Sequence, residues 1–102
     1  MKAVLFAGGW EGHSPIAFSN WCKELLEENN VEVDIFETLK PLENPEKLED
    51  VDLFIPIWSS ARSSHQAEFG NMTKLQEDGL IKLIANGCGL AGWHGHMGDA
   101  FR

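Results

Sequence analysis

Four short apolar runs are spaced along the chain, and longer stretches of mixed polarity separate them. The first, Lys2-Ala3-Val4-Leu5-Phe6-Ala7, is closed by Gly8-Gly9, the pattern of a strand buried on both faces and ended by a turn. Over residues 16–29, Ile16, Ala17, Trp21, Leu25 and Leu26 recur at helical spacing opposite Lys23, Glu24, Glu27 and Glu28. This predicts an amphipathic helix with those five residues toward the core. Ser14 is placed to cap it, Pro15 suits its first position, and Asn29-Asn30 ends it. Val31, Val33 and Ile35 alternate with Glu32 and Asp34, which predicts an edge strand with one wetter face. Residues 37–50 read as a connection in which Asn44-Pro45-Glu46 starts a short helix. Val51 to Trp58 is the most apolar stretch and should form a central strand, with Pro56 marking a kink or bulge.

Ser59 to Asn71 has no clear period and reads as a loop that holds Arg62, His65 and Glu68. Met72, Leu75, Leu80, Leu83 and Ile84 predict a helix over 72–84 that stops at Asn86-Gly87. Gly79 weakens that helix by about 1 kcal/mol relative to Ala. Cys88 to Trp93 is the fourth strand, and residues 97–102 look like the opening of another helix. Apolar strands joined by helical crossovers must lie parallel, so the expected architecture is a three-layer α/β flavodoxin-like domain with strand order 2-1-3-4. Nothing in the sequence covers the far edge of the fourth strand. A homo-oligomer is therefore expected, most simply a twofold dimer in which two fourth strands meet.

Composition narrows the class. The 102 residues suffice for one domain, and 43% apolar with 24% charged residues is globular usage. The formal net charge of −8 argues against nucleic acid as a partner. Eleven of the sixteen acids fall in residues 24–52 with only Lys40 and Lys47, so this lobe reads as solvated surface. A site for an anionic or neutral small molecule is expected outside it. No apolar run approaches the roughly 20 residues of a membrane span, and the opening MKAVLFAGG is too short and glycine-limited for a signal peptide. No membrane is expected as a partner, and the expected location is cytoplasmic. Cys22 and Cys88 form neither a disulfide framework nor a metal clip and should be reduced and buried.

In such sheets ligands bind beyond the carboxyl ends of the strands, near the point where strand order reverses. The loop after the first strand is Gly8-Gly9-Trp10-Glu11-Gly12-His13-Ser14-Pro15. Its glycines permit close backbone approach, and the helix start that follows offers N–H groups to an anion. It matches neither the GxGxxG spacing nor a Walker loop, and a plain turn explains the glycines as well as a ligand does. The loop after the fourth strand, Gly92-Trp93-His94-Gly95-His96-Met97-Gly98-Asp99, is the densest cluster in the chain. Glycines flanking His94 suit a sharp strand-to-helix turn that would push the imidazole out at the carboxyl edge, a nucleophile elbow with histidine at its tip. His94 and His13 are the candidate catalytic pair. Gly9, Trp10, Trp93, Gly95, His96 and Asp99 are candidate substrate contacts. His13 and His94 are also candidate ligands for a divalent metal such as Zn. Trp58 and Cys22 read as core, and Cys88 as a small buried residue at the start of a strand.

At these two loops the sequence resembles the trehalose-utilisation, or ThuA-like, family. The residues that carry the resemblance are Gly8-Gly9 through His13-Ser14-Pro15 and the run Asn86-Gly87-Cys88-Gly89-Leu90-Ala91-Gly92-Trp93-His94-Gly95-His96-Met97-Gly98-Asp99-Ala100-Phe101-Arg102. The resemblance implies a class I glutamine amidotransferase-like, flavodoxin-related fold and a role in sugar metabolism, with a sugar or keto-sugar as the small-molecule partner. Amidotransferases hold a cysteine at the elbow. His94 stands there in this chain, so glutaminase chemistry is not expected, whereas a sugar-modifying activity is. Family members commonly have glycine where His96 stands. Family domains are about twice this length, so the chain is expected to be a truncated, N-terminal half. A non-catalytic sugar-binding or regulatory module, or an inactive remnant, is the alternative.

Overall fold

The computed structural model describes residues 1–9, 11–59 and 72–93. Four strands and two helices alternate: β1 (Lys2–Gly9), α1 (Pro15–Glu28), β2 (Glu32–Phe36), β3 (Leu53–Ser59), α2 (Lys74–Ala85) and β4 (Gly89–Leu90). The strands form one all-parallel sheet, as the crossover argument requires, in the expected order β2-β1-β3-β4. The short helix expected from Asn44 is a 3-10 turn, Pro45–Leu48, and two further 3-10 turns lie at Glu11–His13 and Lys40–Glu43. The loop 60–71 and the helix expected over 97–102 lie outside the described residues.

β1 is buried on both faces, so its alternate side chains feed two cores. Val4 and Phe6 join Leu39, Leu42, Leu48, Phe54, Trp58 and Leu83 on the α2 face. Phe6 is the hub there, with ring centroids 5.4 Å from Phe36 and 5.1 Å from Phe54. Ala3 and Leu5 join Cys22, Val33, Ile55 and Ile57 on the α1 face.

α2 is fixed to its face by polar bonds as well as burial. Thr73 caps it through a reciprocal box: the Gln76 N–H donates to Thr73 Oγ1 at 3.2 Å, and the Thr73 N–H donates to Gln76 Oε1 at 3.0 Å. Gln76 Nε2 then donates to Glu43 at 3.0 Å, tying the helix to the turn at Lys40–Glu43. Gly79 is the point of closest approach, because a Cβ there would run into the Leu42 carbonyl. The glycine that weakens the helix in isolation is what lets it dock. Gly87 ends the segment with φ +103°, the left-handed stop expected of it.

α1 occupies its expected span but buries a different face. Pro15, Ser19 and Cys22 are buried, and Leu26 packs partly against the core. Ile16, Ala17, Trp21 and Leu25, expected inside, are exposed, as is Phe18. Small side chains at i, i+4 and i+7 let the helix lie close on β1, and that turns the bulky residues onto its flanks. Trp21 is 55% and Leu25 46% exposed. Ser14 precedes the helix in a left-handed conformation, φ 49°, and its side chain makes no cap bond, contrary to the expected cap.

β4 is shorter than the predicted run from Cys88 to Trp93. The Gly89 N–H donates to the Asp52 carbonyl at 2.8 Å and the Ala91 N–H to the Phe54 carbonyl at 3.1 Å. The next donor on that side of β3 would be residue 56, and Pro56 has no N–H, so the ladder stops. Pro56 is itself fully buried and paired with Phe6, so it terminates the neighbouring strand rather than kinking its own. Among the described residues β4 pairs with β3 alone.

The acidic lobe is mostly solvent-facing, as its composition suggested. At the amino edge of the sheet, Lys2 Nζ sits 3.2 Å from Asp50 and 3.5 Å from Asp34, and its backbone N–H donates to Asp52 at 2.9 Å. The hydrogen bond to Asp50 raises the Lys2 pKa above its ordinary value.

Candidate functional site

Strand order reverses at β1, which has β2 on one side and β3 on the other. A depression of about 260 Å³ opens there, at the carboxyl ends of the strands. Its floor is the backbone of Ala7, Gly8 and Gly9 with the ring of Trp58, and its walls are Pro15, Ile16, Glu11 and Glu37. The sequence dictates this shape locally. Gly8 pairs in register with Trp58, and the indole lies where a Cβ on residue 8 would be, so only glycine admits the ring. Gly9 then turns the chain out of the sheet with φ +78°. The turn Glu11–His13 follows, closed by the Ser14 N–H donating to the Glu11 carbonyl at 2.8 Å.

The crevice offers donors and acceptors side by side. Ser14 does not cap α1 with its side chain and Pro15 has no N–H, so among the described residues the helix start at the crevice wall has no side-chain cap. Glu11 and Glu37 supply carboxylate acceptors at the rim, and both are exposed. No Lys or Arg is among the described lining residues.

The structure distributes the sequence-derived candidates unevenly. Gly9 lines the crevice. His13 sits half-buried in the turn between Glu11 and Pro15. Trp93 is half-buried on the α1 face, its ring centroid 6.4 Å from those of both Phe18 and Trp21 in edge-on contacts. Trp58 is core, as expected, and also forms the crevice floor. His94, Trp10, Gly95, His96 and Asp99, together with Arg62, His65 and Glu68, lie outside the described residues. Among the described residues no three His, Cys, Asp or Glu side chains come together to hold a metal ion.

Glu11 and Glu37 were missed by sequence reasoning, which looked for a site away from the acidic lobe. Glu37 belongs to that lobe. The available signal was topological: Glu37 directly follows the last residue of β2, Phe36, and so stands at the same carboxyl edge as Gly9.

A second depression, about 230 Å³, lies beside the start of β4 and includes Cys88, Asp52 and Lys82. Burial, and then the nearby Asp52 carboxylate, push the Cys88 thiol above its ordinary pKa, and burial does the same at Cys22. Both cysteines are free and buried, and each belongs to a core cluster. No described helix is long and apolar enough to cross a membrane.

A family model described as ThuA, trehalose utilisation, matches residues 2–102. No curated protein and no solved structure matches the chain.

Proposed function

The chain belongs to the trehalose utilisation, or ThuA, family, and we propose that it serves carbohydrate metabolism by binding a sugar or keto-sugar in the crevice between β1 and β3 and acting on it through His94. The observation that carries this reading is the crevice itself: an aromatic floor with backbone amides and carboxylates around it, at the edge where such sheets bind ligands. Apolar lining from Trp58, Pro15 and Ile16 suits the C–H surface of a sugar, and carboxylates with backbone groups suit its hydroxyls. β4 runs toward the same carboxyl edge, and His94 follows Trp93 in the chain.

In this reading the neutral His94 imidazole accepts a proton from a sugar hydroxyl, or from the carbon beside a sugar carbonyl, and returns it in the following step. His13, in the turn Glu11–His13, is its partner in this reading. Glutaminase chemistry has no part in this reading, because the resemblance puts His94 where amidotransferases hold their cysteine.

The test is turnover of a panel of keto-sugars and trehalose by the chain and by H94A, with circular dichroism as the check on folding. Loss of a general acid/base group should lower turnover by about 100-fold or more. Unchanged turnover by folded H94A would overturn the role of His94.

A further inference from the structure

A glycine turn running into a helix start is ordinarily a place for phosphate, since uncapped amides and the helix dipole both favour negative charge. Here the same opening is flanked by Glu11 and Glu37, and its described lining holds no Lys or Arg. A phosphate drawn to the helix start at Pro15 and Ile16 would share the depression with two carboxylates. A cation drawn to the carboxylates would meet the positive end of α1. A hydroxyl both donates and accepts, so a polyol satisfies amides and carboxylates together with no charge brought in.

We propose that Glu11 and Glu37 are specificity-determining residues that restrict the crevice to uncharged sugars and exclude phosphorylated sugars and sugar acids. The inference rests on the crevice being the sugar site. It explains why the helix start does not make this an anion site: two carboxylates lining the same depression repel an anion, while a single helix terminus attracts it with only about half a unit charge.

Calorimetric titration at low ionic strength with trehalose and with trehalose 6-phosphate, on the wild-type chain and on the E11Q/E37Q double variant, tests it. Both glutamates are exposed, so the variant should fold, and its thermal melt verifies that. The expected result is that trehalose binds the wild-type chain and its phosphate binds at least about tenfold more weakly. In the double variant the gap should narrow to within about threefold, and in the wild-type chain it should narrow as salt is added. Phosphate binding as tight as trehalose to the wild-type chain, or a gap unchanged by E11Q/E37Q, would overturn the proposal while leaving the sugar site standing. Binding of neither ligand to the wild-type chain would remove the sugar reading and this inference with it.

Discussion

The two faces of the sheet are built on different plans. On the α2 face, Phe6, Phe36 and Phe54 interlock, a capping box and the Gln76–Glu43 bond hold the helix, and Gly79 meets the Leu42 backbone. On the α1 face the helix contributes small buried residues, its start is uncapped, and its largest apolar side chains lie on its exposed flanks. Ser19 is 1% exposed and its hydroxyl has no hydrogen-bond partner. One face is fixed by a capping box, a side-chain bond and interlocked rings, the other by the close approach of small residues with edge-on ring contacts at the helix flank. The difference teaches that an apolar stripe locates a helix without deciding which side it buries. The space between helix and sheet decides that.

Truncation of core aromatics separates the faces most sharply. F54A should cost about 3–5 kcal/mol, because the ring is fully buried in the aromatic cluster. L25A should cost well under about 1 kcal/mol, because a half-exposed flank loses little burial. Urea unfolding of both variants measures the contrast, and equal losses would erase it.

G79A comes next. Helix propensity alone predicts a gain of about 1 kcal/mol, but the collision with the Leu42 carbonyl should turn that into a loss of about 1–3 kcal/mol. The sign of the change in denaturation midpoint decides which effect wins.

Two hydroxyl deletions give smaller effects of opposite sign. T73A removes a cap bond from α2 and should destabilise by about 1 kcal/mol. S19A removes a buried hydroxyl that lacks a partner, so it should be neutral or stabilising by up to about 1 kcal/mol. Thermal melts of the two variants in parallel are sufficient.

The smallest effect is a pH slope. Burial raises both thiol pKa values above the ordinary 9.0, so as pH climbs past that value the unfolded chain releases thiol protons that the folded chain retains. Stability is therefore full below about pH 9 and declines above it, toward the folded thiol pKa values. Lys2 acts in the same direction at higher pH, its raised pKa reflecting the Asp50 bond. Melting temperatures from pH 7 to 10 should fall, and the C22A/C88A double variant should flatten the fall near pH 9.

Element types and parallel pairing were legible because four apolar runs are separated by segments long enough for crossovers, and β2 declared itself an edge by alternating Val33 and Ile35 with Glu32 and Asp34, which favours the order with β1 inside it. The capping box was legible too, as Thr73 three residues ahead of Gln76, although the helix was sought from its apolar positions instead. The length of β4 was not readable along its own segment, because the residue that ends it, Pro56, belongs to the neighbouring strand. Of the site, Gly9 and the turn carrying His13 were marked by composition. Glu11 and Glu37 were not, since they follow the ends of two strands, β1 and β2, that meet only after the sheet assembles.

The contact between residue 8 and the Trp58 ring has a consequence beyond this one chain. A position with no side chain and a position with the largest one share a single volume, so neither can drift alone through evolution. Across relatives the two sites should trade size: wherever residue 8 gains a methyl group, residue 58 should be smaller than tryptophan, and the aromatic floor of the crevice should go with it. The identity of residue 8, readable from any related gene, thereby becomes a marker for whether that relative has kept the indole surface that this crevice presents.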